Sequence, residues 1–240
     1  MNSLKNKQAL ITGSTDGLGK LLSHQLAREG CNVIIHGRDE AKLQRSLAEL
    51  KKVAPDGDHN SLLCDFNFPE KVESVFESVR SLDILINNAG VWAEGDTVDI
   101  TPSRIVELVN VNLTSYLLVT RTLLPQLQKS DFGQILNVST IAGVEIPQDY
   151  FHTVYSATKF GVQAFSEALS KEFSNTNLRV MGYYPGGMDT SLFKKAGMDY
   201  KEKEEWMFDP TESVDAIIFM LTRNKKVNIK RLDLINHLEV

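Results

Sequence analysis

Gln8-Ala9-Leu10-Ile11-Thr12-Gly13-Ser14-Thr15-Asp16-Gly17-Leu18-Gly19 stands near the start of a 240-residue chain. It reads as a short apolar strand running straight into a glycine-rich turn. Leu18, Leu21, Leu22 and Leu26 then recur at helical spacing, and Gly30 stops the helix. Strand, glycine turn and helix in that order make a cradle for phosphate, because a helix N-terminus offers unpaired amides and partial positive charge. Gly13 permits the tight turn, Gly17 lets backbone approach an anion, and Gly19 lets the helix pack close to the strand.

The same alternation continues through the chain. Strands are predicted at Asn32–His36, Ser61–Cys64, Leu82–Ile86, Gln134–Val138, Arg179–Tyr184 and Leu232–Ile235. Helices are predicted between them. One is marked by Leu43, Leu47 and Leu50, and another by Val72, Val75, Phe76 and Val79, entered through Pro69. A third starts at the Thr101-Pro102 cap and passes Ile105, Val109 and Asn112 toward Leu124. The last two cover Val154–Phe173 and Thr211–Leu221. Strands alternating with helices mean parallel strands joined by crossovers. The expected fold is α/β: a single-domain, doubly wound (Rossmann) parallel sheet of about seven strands flanked by helices, spanning residues 1–240. Residues 188–210 mix lysines and glutamates with Leu192, Phe193, Met198, Trp206, Met207 and Phe208, and read as a substrate lid.

The net charge of −5 and the pI near 5.6 argue against a general nucleic-acid or anionic-membrane surface. No apolar run approaches a membrane span, and Met1–Gln8 carries no signal core, so a cytoplasmic location is expected. Cys31 and Cys64 fall at opposite ends of neighbouring strands, which excludes a disulfide between them. The five histidines have no metal-ligand spacing, and no metal site is expected.

Ligands of such sheets bind beyond the carboxyl ends of the strands. Tyr155 and Lys159, four apart, share one helix face there. A nearby ammonium favours the phenolate, so Tyr155 can exchange a proton with a substrate oxygen at neutral pH. No other tyrosine has a lysine four residues on; Tyr150 has Val154. After the second strand comes His36-Gly37-Arg38-Asp39. Gly37 offers no carboxylate to a ribose diol, and Arg38 suits a 2′-phosphate, so NADP(H) is expected over NAD(H). Asp39 and Asp16 keep NAD(H) open.

Together these features resemble the short-chain dehydrogenase/reductase family in its compact branch, from Thr12 to Thr190. The glycine turn, Gly13 to Gly19 with Ser14, Thr15, Asp16, Gly17 and Leu18, is similar to the family's cofactor loop. Asp65 with Phe66 resembles the adenine contact, and Asn87-Asn88-Ala89-Gly90 the cofactor-lining run after strand four. Pro185-Gly186-Gly187-Met188-Asp189-Thr190 resembles the segment that closes on the nicotinamide. The resemblance implies that Asn112 holds a proton-relay water, that Tyr155 and Lys159 are the catalytic pair, and that Lys159 also holds the nicotinamide ribose. The family's usual second serine is replaced in Asn137-Val138-Ser139-Thr140-Ile141-Ala142-Gly143, so the active hydroxyl is expected from Thr140, with Ser139 as the alternative. The loop from Thr140 to Tyr155 is longer than is usual in the family.

The activity so implied is NADP-dependent carbonyl reduction, or the reverse alcohol oxidation, on a small molecule by a homodimer or homotetramer. An NAD-linked alcohol dehydrogenase or a non-catalytic dinucleotide-binding regulator is the alternative.

Overall fold

The computed structural model describes residues 3–146, 151–197 and 204–237. Seven strands form one parallel sheet: β1 Gln8–Ile11, β2 Asn32–Gly37, β3 Asn60–Leu63, β4 Ile84–Asn87, β5 Gln134–Val138, β6 Arg179–Pro185 and β7 Arg231–Leu234. Their spatial order is β3-β2-β1-β4-β5-β6-β7, so the winding reverses between β1 and β4. Gln8 lies opposite Asn32, and Ala9 opposite Ile84.

The strands read as nearly unbroken apolar runs because both faces are covered. Ala9, Ile11, Val33, Ile35, Ile86, Leu136 and Met181 face one side, where they meet Leu18, Leu22 and Leu26 of α1 (Gly17–Arg28) and Val214, Ile217 and Leu221 of the last helix, Pro210–Leu221. The first and last helices of the chain therefore pack on each other. Leu10, Ile34, Leu85, Ile135 and Val180 point the other way, into a layer holding Phe76, Val119, Leu123, Leu127 and Leu169.

The helices start where short polar side chains can cap them. Asp39 accepts from Lys42 N at the head of α2 (Glu40–Val53), at 2.8 Å. Thr101 accepts from Arg104 N ahead of α4 (Pro102–Val109). The helix predicted over Val72–Val79 is shorter: a 3-10 turn at Pro69–Lys71 leads into α3 (Val72–Phe76), after which Ser78 and Val79 bond back only three residues. The long helix predicted from Thr101 is interrupted. Asn110–Thr114 makes one π-turn, with Ser115 N–H on the Asn110 carbonyl, before α5 (Ser115–Lys129) resumes. Such wide turns gather at functional sites, and this one contains Asn112. α6 spans Thr153–Glu172, the short α7 Leu192–Lys195, and α8 Pro210–Leu221.

β5 matches its predicted range, and the other strand boundaries lie within two residues of theirs. Cys31 and Cys64 are free and buried, and burial pushes their thiols up to about 12 and about 11. Among the described residues no helix is long and apolar enough to cross a membrane, and no group of His, Cys, Asp and Glu forms a metal site. Tyr150 and Met198, named above, lie outside the described residues, as do the lysines and glutamate at 201–203 of the expected lid.

Candidate active site

A cavity of about 570 Å³ runs along the carboxyl ends of β1 to β6, across the point where the strand order reverses. It is bordered by Gly13, Thr15, Asp16, Gly17, Leu18 and Gly19 of the glycine turn and by Arg38, Asp65 and Phe66. Asn88, Ala89, Gly90, Thr140, Tyr155, Lys159, Pro185, Gly186, Met188 and Thr190 complete the predicted residues that line it, with Ser139, the alternative to Thr140, beside them.

The turn is fixed from beneath. Gly13 has φ +63°, and a Cβ there would fall 2.8 Å from Ala89 Cα, so both conformation and space require glycine. Thr12 Oγ1 accepts from the amides of Asn88 and Ala89 at 2.9 and 3.1 Å, and Asn88 Nδ2 donates back to the Thr12 carbonyl at 2.9 Å. These bonds staple the loop after β4 to the loop after β1. Below them, Asn87 donates to Asn137 and Asn137 to Ser166, a buried chain that locks β4, β5 and α6 together.

Two predicted residues do not line the cavity. Ser14 is fully buried: its hydroxyl donates to the Ile11 carbonyl at 2.8 Å and accepts from His36 N at 2.8 Å. Asn112 is also fully buried. Its amide clasps the backbone of Val91, accepting from Val91 N at 2.8 Å and donating to Val91 O at 2.9 Å. The side chain thus holds the loop after β4 against the π-turn.

The acidic residues are committed. Asp39 caps α2, so its carboxylate is engaged with backbone. Asp16 accepts from Gly17 N, from Lys42 and Lys195, and from Ser191 Oγ. Burial alone raises this carboxyl, but bonds from Lys195 and Lys42 outweigh burial and hold it below the usual range. Arg38 is more than half exposed and sits 3.5 Å from Glu107.

At the other end of the cavity three groups converge. Thr140 Oγ1 donates to the Pro185 carbonyl at 3.1 Å and caps a 3-10 turn at Ile141–Gly143. Its neighbour Ser139 is buried and donates to the Lys159 carbonyl inside α6 at 3.1 Å. Tyr155 is 5% exposed. Lys159 Nζ lies 5.8 Å from the Tyr155 ring and donates to the Val138 carbonyl at 3.2 Å. Burial lowers the Lys159 ammonium from 10.5 to about 7. The same Val138 carbonyl accepts from Tyr116 OH at 2.9 Å, and burial raises that phenol.

Several lining residues had not been singled out from sequence. His36 accepts from Gly13 N on Nδ1, lies 3.0 Å from the Cys64 carbonyl through Nε2, and stacks on Phe66 at 4.4 Å. Burial pulls its pKa down to about 4, so a neutral ring braces the glycine turn. Trp92, His152 and Lys195 also border the cavity. The β-branched and polar residues that end β2 carried the only signal for His36.

A family model described as "short chain dehydrogenase" matches residues 7–201. An uncharacterized oxidoreductase of Staphylococcus aureus (strain USA300) is 28% identical over 236 residues, covering 97% of this chain and 98% of the relative. A short-chain dehydrogenase from Sphingobium yanoikuyae, solved with NADPH, is 27% identical with a TM-score of 0.84, covering 98% of this chain and 89% of that one. An alcohol dehydrogenase from Thermococcus sibiricus, at 22% identity and a TM-score of 0.88, shares the fold over 98% of this chain and 99% of that one.

Proposed function

The chain belongs to the short chain dehydrogenase family of oxidoreductases, and we propose that it reduces a carbonyl compound with NADPH, or oxidises the matching alcohol with NADP. The observation that carries this reading is the meeting of Thr140, Tyr155 and Lys159 at one end of a cleft whose other end is the Gly13–Gly19 turn and Arg38.

The residues present fit NADP(H). Gly13 and Gly19 of the turn after β1 leave no room for a Cβ, while Gly17, at φ +48°, faces open space with Thr190 at 3.8 Å, which keeps that stretch open to a pyrophosphate. Arg38 borders the cleft just beyond the end of β2, its guanidinium 3.5 Å from Glu107, whereas Asp39 does not border the cleft and is spent on capping α2. Asp16 is offset by two lysines. The related enzyme from Sphingobium yanoikuyae was solved with NADPH.

The cofactor, when bound, supplies the hydride and the protein supplies orientation and the proton. Thr140 donates a hydrogen bond to the substrate carbonyl oxygen and sets its direction. Tyr155 gives that oxygen its proton, or removes it in the reverse direction. Lys159, when protonated, favours the phenolate form of Tyr155 and so lets the proton leave at neutral pH. The amide of Asn112 fixes the wall beside Gly90 and Val91. Residues 188–197 and 204–210 form the lid, its ends held by a bridge between Met188 and Phe208. A homodimer or homotetramer in the cytoplasm belongs to the same reading, with exposed Val106, Val109 and Leu117 available for a subunit contact.

Tyr155→Phe tests the assignment, since it removes the phenolic proton and nothing else. NADPH oxidation against a panel of ketones, aldehydes and quinones should fall below 1% of wild type, on the order of the 10²–10⁴-fold typical of proton transfer. NADPH fluorescence titration should be unchanged. A fully active Tyr155→Phe protein refutes the reading.

A further inference from the structure

The cleft beyond Tyr155 is walled by aromatic rings drawn from three parts of the chain. Trp92, after β4, lies 4.4 Å from Tyr155 and 4.7 Å from His152, ring centre to ring centre. Phe193 of α7 meets Trp92 edge-on at 5.1 Å, and Trp206 meets Phe193 edge-on at 5.6 Å. The chain has only two tryptophans, and both line this cavity.

The seat for Trp206 is built into the backbone. A Cβ at Gly187 would collide with its indole, so a ring can lie there only because residue 187 has no side chain. Phe208 N donates to the Gly187 carbonyl at 3.0 Å, and Asn236 donates to the Glu205 carbonyl at 2.8 Å, which fixes Trp206 from both sides. A wall of ring faces and edges favours a ligand that is itself a ring.

We propose that the substrate is a carbonyl compound bearing an aromatic ring, held by Trp92, Phe193 and Trp206 while its carbonyl reaches Thr140 and Tyr155. This rests on the carbonyl-reductase reading for the reaction but on the ring geometry alone for the preference. One or two additional ring pairs correspond to roughly a tenfold gain in affinity over a saturated ligand of the same shape.

The test is calorimetric titration with 2-acetylnaphthalene and with its decalin counterpart, with and without NADP⁺. The naphthyl ketone should bind at least tenfold more tightly, and Trp92→Leu should cut that preference below threefold. Phe193→Leu, on the surface of the cleft, carries the same test should Trp92→Leu fail to fold. Equal affinities in the wild type, or a preference that survives in the variant, overturn the proposal. NADPH oxidation by the same two ketones is read separately. Absence of turnover with both would refute the reductase reading, and the ring preference would still stand or fall on the calorimetry.

Discussion

Replacing Lys159 with methionine should make the protein more stable at neutral pH and inactive. The ammonium of Lys159 is 3% exposed, and burial lowers its pKa from 10.5 to about 7. That gap corresponds to about 5 kcal/mol at 1.36 kcal/mol per pKa step, an upper figure for the cost of holding the charge inside. Methionine fills a similar volume without the charge. It also gives up the bond to the Val138 carbonyl, worth about 1–3 kcal/mol, but that carbonyl keeps Tyr116 OH at 2.9 Å. A net gain of about 2–4 kcal/mol remains.

The sign follows from protonation in the two states. Below pH 7 the lysine is charged both folded and unfolded, and the burial cost is fully present. As pH rises through about 7 toward 10.5, the folded state loses its proton first, and the cost fades by about 1.4 kcal/mol per pH unit. Thermal melts of the two proteins without cofactor, from pH 6 to pH 10, should show Lys159→Met melting several degrees higher at pH 6, at about 2–4 °C per kcal/mol for a chain of this size. The curves should converge toward pH 10. A variant that melts lower at pH 6, or a difference that does not change with pH, refutes the reasoning. NADPH oxidation should be lost at every pH.

Arg38→Ala should weaken NADPH binding by roughly 10- to 100-fold, the worth of a charge-assisted pair, and leave NADH nearly unchanged; fluorescence titrations that fall equally refute the 2′-phosphate assignment. Thr140→Ala should cost about 100-fold in kcat, as the loss of one oxygen-binding donor does. Ser139→Ala should keep most activity and lower the melting temperature, because its hydroxyl is engaged with the Lys159 carbonyl; the reverse pattern moves the role to Ser139. Asp16→Asn removes the charge that holds Lys195 and Ser191 of the lid. Without cofactor, proteolysis around α7 should then speed up by about two- to fivefold, as expected for an exposed ion pair of about 0.5–1 kcal/mol. An unchanged cleavage rate counts against the tether.

The fold was legible because local signals agreed: glycines at Gly13, Gly17 and Gly19, β-branched strands, and the Thr101-Pro102 cap. The cleft was legible because its residues sit at strand ends, where any ligand of such a sheet must bind. What sequence did not reveal is which partner each polar side chain finds. Asp39 looked free to bind a ribose, and only the structure shows it bonded to Lys42 N. The amide of Asn112 grips the backbone of Val91, a partner 21 residues away in the chain that no local pattern names. The doubt between Ser139 and Thr140 is a matter of which way each neighbour points, and alternation along an extended segment does not say which face becomes the cleft. The ring wall needed Trp92, Phe193 and Trp206 to meet across a hundred residues, beyond the reach of any local pattern.

The packing of α1 on α8 has a consequence for how the molecule is made. Leu22 leaves the ribosome almost two hundred residues before Ile217, its partner in the core. At about 5–20 residues per second, the apolar face of α1 waits roughly 10–40 s for its cover. β4, which must slide in beside β1, also arrives only after β2 and β3 have been made. The glycine turn after β1 is therefore pinned only once the loop after β4 has been made. Nascent chains shorter than about 220 residues should expose the leucines of α1, which makes this helix the natural place for a chaperone to hold the growing polypeptide.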